Sequence, residues 1–176
     1  ARDLYNLEQE PMSISSEILV IFLLIIINGV LAMSEAALLA SRKAKLQQMA
    51  NEGDKTAALT LELLKSPNIF LSTIQIGITL IGVLAGAVGG ATIAEALAVS
   101  FHNLPYIGIY SESIGIGIVV IVITVLTIWL GELVPKRLGI NSPEKVAKIV
   151  AGPMIFISTI FSPLVKLMSW ATEFVL

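Results

Sequence analysis

The 176-residue sequence has no cysteine and a single histidine, His102. The first absence excludes disulfides, thiolate nucleophiles and thiolate metal sites, and leaves the redox compartment open. The second argues against an imidazole zinc cluster and a Ser/His/Asp triad. Charge is also scarce. Asp, Glu, Lys and Arg make up 14% of the chain, against about 25% in soluble domains. A net charge of −2 argues against a nucleic-acid partner, which needs a basic face. No nucleophile–base pair or phosphate-cradling loop is visible, so no enzyme is expected. Residues 1–17 carry Asp3, Glu8, Glu10 and Glu17 but only Arg2 as a cation. That is the wrong charge for the start of a cleaved signal peptide.

What the sequence does have is apolar length. Hydrophobic residues make up 56% of the chain, and mean hydropathy is +0.89. A bilayer span takes about 20 largely apolar residues. Residues 18–40, 69–99 and 114–134 qualify, the second being long enough to tilt, bend or overshoot the bilayer. The expected fold class is all-α integral membrane, with three transmembrane helices plus amphipathic juxtamembrane helices. An N-terminal arm, 1–17, precedes a transmembrane domain, 18–141, which holds a charged helical loop, 42–66. Asn51–Gly53 is a natural break in that loop.

Cations set the orientation. Arg42, Lys43, Lys45, Lys55 and Lys65 separate the first two spans, and Lys136, Arg137, Lys145, Lys148 and Lys166 follow the third. The loop 102–113 has none. The positive-inside rule puts the 42–66 loop and the C-terminus in the cytoplasm and the N-terminus outside, in a plasma or inner membrane. In the tail, 142–176, Ser142-Pro143-Glu144 reads as a helix start. Gly152-Pro153 and Ser162-Pro163 then cut the apolar run 149–167, which predicts short helices on the inner interface anchored by Lys166 and Trp170.

Some faces are built to pack or to bind. Gly82, Gly86 and Gly90 recur every fourth residue and lead into Ala94 and Ala98. Such spacing lets helices approach closely in lipid. Ser72, Gln75 and Thr79 share that face, so it also reads as a solute path through Gly77 and Gly82. In the first span Asn28, Ala32 and Glu35 share a face. Glu35 lies about 25 Å along the helix from Ile18, toward the inner leaflet. An ionisable group there faces a cavity or a partner, and Arg42, Lys43 and Lys136 are the candidate partners. In Gly131-Glu132-Leu133-Val134-Pro135-Lys136, Pro135 cannot donate to the Gly131 carbonyl. The helix should kink or break there, leaving free carbonyls beside the Glu132 carboxylate. Such oxygens suit a hard cation; the alternative is a solvated helix end.

Three segments, taken together and in order, resemble a known family. Asn28-Gly29-Val30-Leu31-Ala32-Met33-Ser34-Glu35-Ala36-Ala37-Leu38 looks like the first-helix motif of the CNNM/CorC family. Leu71-Ser72-Thr73-Ile74-Gln75-Ile76-Gly77-Ile78-Thr79-Leu80 resembles its second-helix motif, and Gly131–Lys136 its third-helix signature. The resemblance covers the chain from about residue 16 onward.

It implies a homodimeric three-span domain in the lipid bilayer, with an acidic cavity open to the cytoplasm. It also implies a following cytoplasmic CBS-domain pair, absent here, that alone would bind ATP. The implied function is Mg²⁺ or other divalent cation efflux, with Na⁺ as a coupling ion. Ser34 and Glu132 match the family's ion-site positions. Asn28, Gln75, Thr79 and the Gly131 carbonyl complete the expected ligand set, with Glu35, Gly77 and Gly82 along the path. Two positions depart from the family pattern. Ala32 and Met33 precede Ser34, and Ile78 replaces an asparagine. Fewer oxygen donors make a poorer Mg²⁺ cage, so a polyamine or other organic cation is the alternative cargo. A different class of function also fits, namely a membrane anchor and sensor that regulates another transporter.

Overall fold

The computed structural model describes residues 13–89, 92–102 and 108–175, and the regular structure among them is helical throughout. The helices are α1 (Ile14–Ala40), α2 (Lys43–Asn51), α3 (Lys55–Leu63), α4 (Pro67–Gly89), α5 (Thr92–His102), α6 (Ser111–Ile128), α7 (Val134–Asn141) and α8 (Pro143–Val175). A 3-10 turn (Gly108–Tyr110) leads into α6, and a π-helical turn (Trp129–Leu133) joins α6 to α7. Most of the expected N-terminal arm, the middle of the 102–113 loop, and Gly90 lie outside the described residues. Four helical runs are long and apolar enough to cross a membrane: 14–40, 67–102, 108–141 and 143–172.

α1 is the central element. Ser13 caps it by accepting the Ser16 amide at 3.3 Å. Its buried positions Glu17, Ile21, Ile25, Asn28, Ala32 and Ala36 recur every three or four residues, one stripe of a 3.6-residue helix. α1 packs on α4 along one side and on the π turn and α7 along another. Glycines make the second contact possible. A Cβ on Gly29 would lie 2.9 Å from the Pro135 ring, and one on Gly139 would lie 2.5 Å from the Met33 carbonyl oxygen.

The charged loop is a hairpin of α2 and α3. Gly53 turns it with φ +98°, a left-handed conformation that costs glycine little. Leu46 is fully buried, in a core it shares with Leu38, Phe70, Ile74, Ala147 and Met154. Its removal from water contributes about 1.5–3 kcal/mol. Ion pairs pin the hairpin to α8. Arg42 and Lys45 contact Glu144 at 3.1 and 3.2 Å, and Lys148 contacts Asp54 at 2.7 Å.

Asp54 also caps α3, accepting the Thr56 and Ala57 amides at 2.9 and 3.0 Å. The Lys148 hydrogen bond, then those of Thr56 and Ala57, hold its carboxyl well below the usual carboxylate range. A carboxyl depressed by folding stabilises the fold above its unfolded value of about 3.9, and that stabilisation fades as pH falls below it. Asp54→Asn keeps a capping oxygen and removes only the charge. Its thermal midpoint in detergent should therefore lie below that of the parent chain at pH 6–7, and the gap should close as pH drops below about 4. A gap that is constant with pH would rule out the charge as its cause.

Two expectations need correcting. The tail is not cut at its prolines: α8 runs unbroken through Pro153 and Pro163. Both prolines lie on its exposed side. The opposite stripe, Ala147, Val150, Ala151, Met154, Ser158 and Val165, is buried, and packing on α1, α3 and α4 holds the helix together. Nor is the small-residue stripe one packing face. Ala94 and Ala98 are buried where α5 meets α6, with Gly115 set against them. Among the described residues, a Cβ on Gly82 or Gly86 would meet nothing within 4 Å. These two glycines line a cavity of about 190 Å³ shared with Val119, Ile123, Thr124 and Thr127 of α6.

Candidate cation site

The site begins with a missing donor. Pro135 has no N–H, so in an α-helix the carbonyl of Gly131 would lose its partner. The helix neither stops nor breaks there. It widens into the π turn, where the Val134 amide reaches back to the Trp129 carbonyl. Turns of this kind are frequent at functional positions. The Gly131 oxygen takes its hydrogen bond from another helix, with Asn28 Nδ2 donating to it at 2.9 Å. Gly131 is buried, and a Cβ there would lie 3.2 Å from that nitrogen, so glycine makes the approach possible.

Asn28 is 2% exposed. Its Nδ2 is bonded, while its Oδ1 is buried with no hydrogen-bond partner among the described residues. A buried amide oxygen without a donor is unfavourable by about 1–3 kcal/mol. It is an acceptor enclosed by the protein.

Beside this bond lie the charges. Lys136 Nζ is 2.8 Å from Glu132 Oε1, one helical turn before it, and 3.3 Å from Glu35 Oε2 on α1. Two carboxylates from two helices thus share one ammonium. All three side chains are partly exposed in the isolated chain. Of the partners considered for Glu35, the structure selects Lys136; Arg42 turns to Glu144 instead.

The remaining candidates are distributed differently. Ser34 is buried, and its hydroxyl donates to the Val30 carbonyl at 2.6 Å. Gln75 and Thr79 are on the exposed side of α4. Gly77 faces α1, where its Cβ would lie 2.8 Å from a Leu31 methyl. Gly82 lines the α4–α6 cavity. The structure therefore forms two local arrangements: Asn28 bonded to Gly131, and Glu35 and Glu132 joined through Lys136. It ties none of Ser34, Gln75 and Thr79 to them by a hydrogen bond among the described residues. No group of three His, Cys, Asp or Glu side chains placed to hold a metal occurs among the described residues.

Sequence reasoning passed over one residue, Glu17, which it assigned to the N-terminal arm. It is in the first turn of α1, 4% exposed, with one carboxylate oxygen unpartnered among the described residues. Its signal was its register, since it continues the stripe of Ile21, Ile25 and Asn28.

Residues 19–176 match the family model of the cyclin M transmembrane N-terminal domain. The chain is 43% identical over 164 residues to UPF0053 protein sll0260 of Synechocystis sp., covering 93% of this chain and 37% of that protein. It is 34% identical over 154 residues to the polyamine export protein of Haemophilus influenzae, covering 88% of this chain and 35% of that protein. Against the polyamine export protein of Escherichia coli K12 it is 36% identical over 150 residues, covering 85% and 33%. The chain thus spans about a third of the length of these relatives. Its helices make it a multi-pass membrane protein, and the match across 19–176 places it in the CNNM/CorC family.

Proposed function

We propose that this chain is the membrane domain of a cation exporter whose cargo is an organic polycation carrying primary ammonium groups, a polyamine. One observation carries the reading: Glu35 and Glu132, from different helices, already grip a primary ammonium, that of Lys136. A polyamine end presents the same group, and two carboxylates satisfy its charge and donors. Relatives named as polyamine export proteins agree.

Mg²⁺ efflux, with Na⁺ as coupling ion, is the second reading. Glu132 and the unpartnered Asn28 Oδ1 favour it. Gln75 and Thr79, on the exposed side of α4, and Ile78 in place of an asparagine weigh against the near-octahedral oxygen shell that Mg²⁺ requires.

In this reading α1, the α4–α5 run and the α6–α7 run cross the cell membrane. The N-terminus is outside, and the hairpin and C-terminus face the cytoplasm. α8 stays on the inner side. Lys148 pairs with Asp54 of the hairpin, and Lys166, about 27 Å further along the helix, still lines a cavity with Glu62, Ser66 and Ile69 at the same end of the bundle. A helix crossing the bilayer would have left that end. The length of the relatives leaves room for a cytoplasmic CBS-domain pair, the place where ATP would bind. The open Gly82–Gly86 face offers a homodimer contact.

Reconstitution decides between these readings. Liposomes holding the chain and loaded with radiolabelled spermidine should release it faster than empty ones. Mg²⁺ flux without spermidine flux would select the second reading. Binding without transport of either would select an anchor and sensor.

A further inference from the structure

The exporter reading leaves Lys136 unexplained, because a cation site that already holds a cation is blocked. The geometry points to Lys136 as a tethered competitor. Its ammonium occupies the solute position between Glu35 and Glu132, and a transported cation enters by displacing it. This inference rests on the proposed function and names how that site is guarded.

Three observations support it. First, the ammonium bridges rather than decorates, at 2.8 Å from Glu132 and 3.3 Å from Glu35. A second cation seated on the same two carboxylates would face it at close range, and like charges at that separation repel. Second, Lys136 can leave. It has a flexible four-carbon stem, its side chain is 34% exposed, and it sits in the first turn of α7 beside the charged end of the bundle. Third, the ion pair is not what holds the helices together. α1 and the π turn–α7 segment already meet backbone to backbone at Gly29, Gly131 and Gly139, and Asn28 bonds to Gly131. A lysine needed only to join two helices would be redundant there.

The consequence is an ordered affinity series. With the site free in only a fraction of molecules, the apparent dissociation constant is raised by the inverse of that fraction. Lys136→Met keeps the stem, removes the charge and frees the site. Lys136→Arg places a permanent, forked cation there that pairs with carboxylates more tightly.

The test is titration calorimetry of the chain in detergent micelles with spermidine and, separately, Mg²⁺, on the parent chain, Lys136→Met, Lys136→Arg and Glu132→Gln. The expected result is about tenfold tighter binding for Lys136→Met and weaker binding for Lys136→Arg. A second readout uses the unaltered chain. The ratio of acetylation at Lys136 to that at Lys43, quantified by mass spectrometry, should rise when spermidine saturates the site; the ratio cancels the reagent that the amines of spermidine consume. Equal or weaker binding by Lys136→Met, or a Lys136-to-Lys43 acetylation ratio that falls or stays level with solute, overturns the competitor. The cation site then still stands if Glu132→Gln loses binding. No saturable binding by the parent chain or by Lys136→Met overturns the exporter reading along with it.

Discussion

Glu132→Gln should abolish solute-dependent efflux from liposomes and weaken solute binding by roughly 10- to 100-fold. The estimate follows from one charge-assisted hydrogen bond, worth about 1.5–3 kcal/mol, at about 1.4 kcal/mol per factor of ten. Glutamine keeps the shape of the side chain, so the loss reads the charge. The fold should survive. Glu132 is 41% exposed, and a partly exposed ion pair contributes little to stability. Lys136 also retains Glu35. Glu35→Gln should weaken binding less, because its contact is longer. Glu52→Gln is the control. That side chain accepts a hydrogen bond from Gln48 on the hairpin, at 3.0 Å, and its loss should leave efflux unchanged. Efflux by Glu132→Gln at the parent rate would remove the carboxylate from the transport path and the site assignment with it.

Much of this was legible in the sequence because lipid imposes strong constraints. A chain with few charges must hide its backbone in helices, so length and apolarity give the spans. The break at Gly53 and the missing donor at Pro135 follow from single residues whose chemistry is local. What the sequence hides is pairing at a distance. Nothing local says that the freed Gly131 carbonyl finds Asn28, 103 residues away, or that Glu35 chooses Lys136 over the nearer Arg42 and Lys43. Gln75 and Thr79 have the right helical spacing for a site, but the sequence does not reveal which face of α4 meets α1.

The tail misleads for a related reason. Proline removes one donor and clashes one turn back, which ends a helix with nothing else to hold it. In α8 both prolines lie on the exposed side while a continuous stripe packs on three other helices, and packing outweighs the local penalty. The glycine stripe misleads because four-residue spacing states that a helix can be approached closely, not by what. A Cβ on Gly82 or Gly86 would meet nothing within 4 Å among the described residues.

That contrast among glycines gives the second large prediction. Gly139→Ala should destabilise the domain by about 1–3 kcal/mol, the usual range for overpacking, despite alanine's better helix propensity. The added Cβ would sit 2.5 Å from the Met33 oxygen and 3.2 Å from the Ala37 nitrogen. Both are backbone atoms, so α1 itself must move. Met33 and Ala37 flank Glu35, and Gly139 lies one turn after Lys136. The displacement that relieves the clash therefore lengthens the 3.3 Å Glu35–Lys136 contact, and solute affinity should change along with stability. Gly82→Ala and Gly86→Ala meet no atom within 4 Å, so in an isolated chain each should stabilise by up to about 1 kcal/mol through helix propensity. If a second copy packs on that face, the same two variants should instead lower the fraction of dimer seen by light scattering. Thermal unfolding in detergent measures the stabilities. A Gly139→Ala variant as stable as its parent would mean that α1 and α7 are less closely packed than the structure has them, and the shared ammonium between Glu35 and Glu132 would lose its geometric basis.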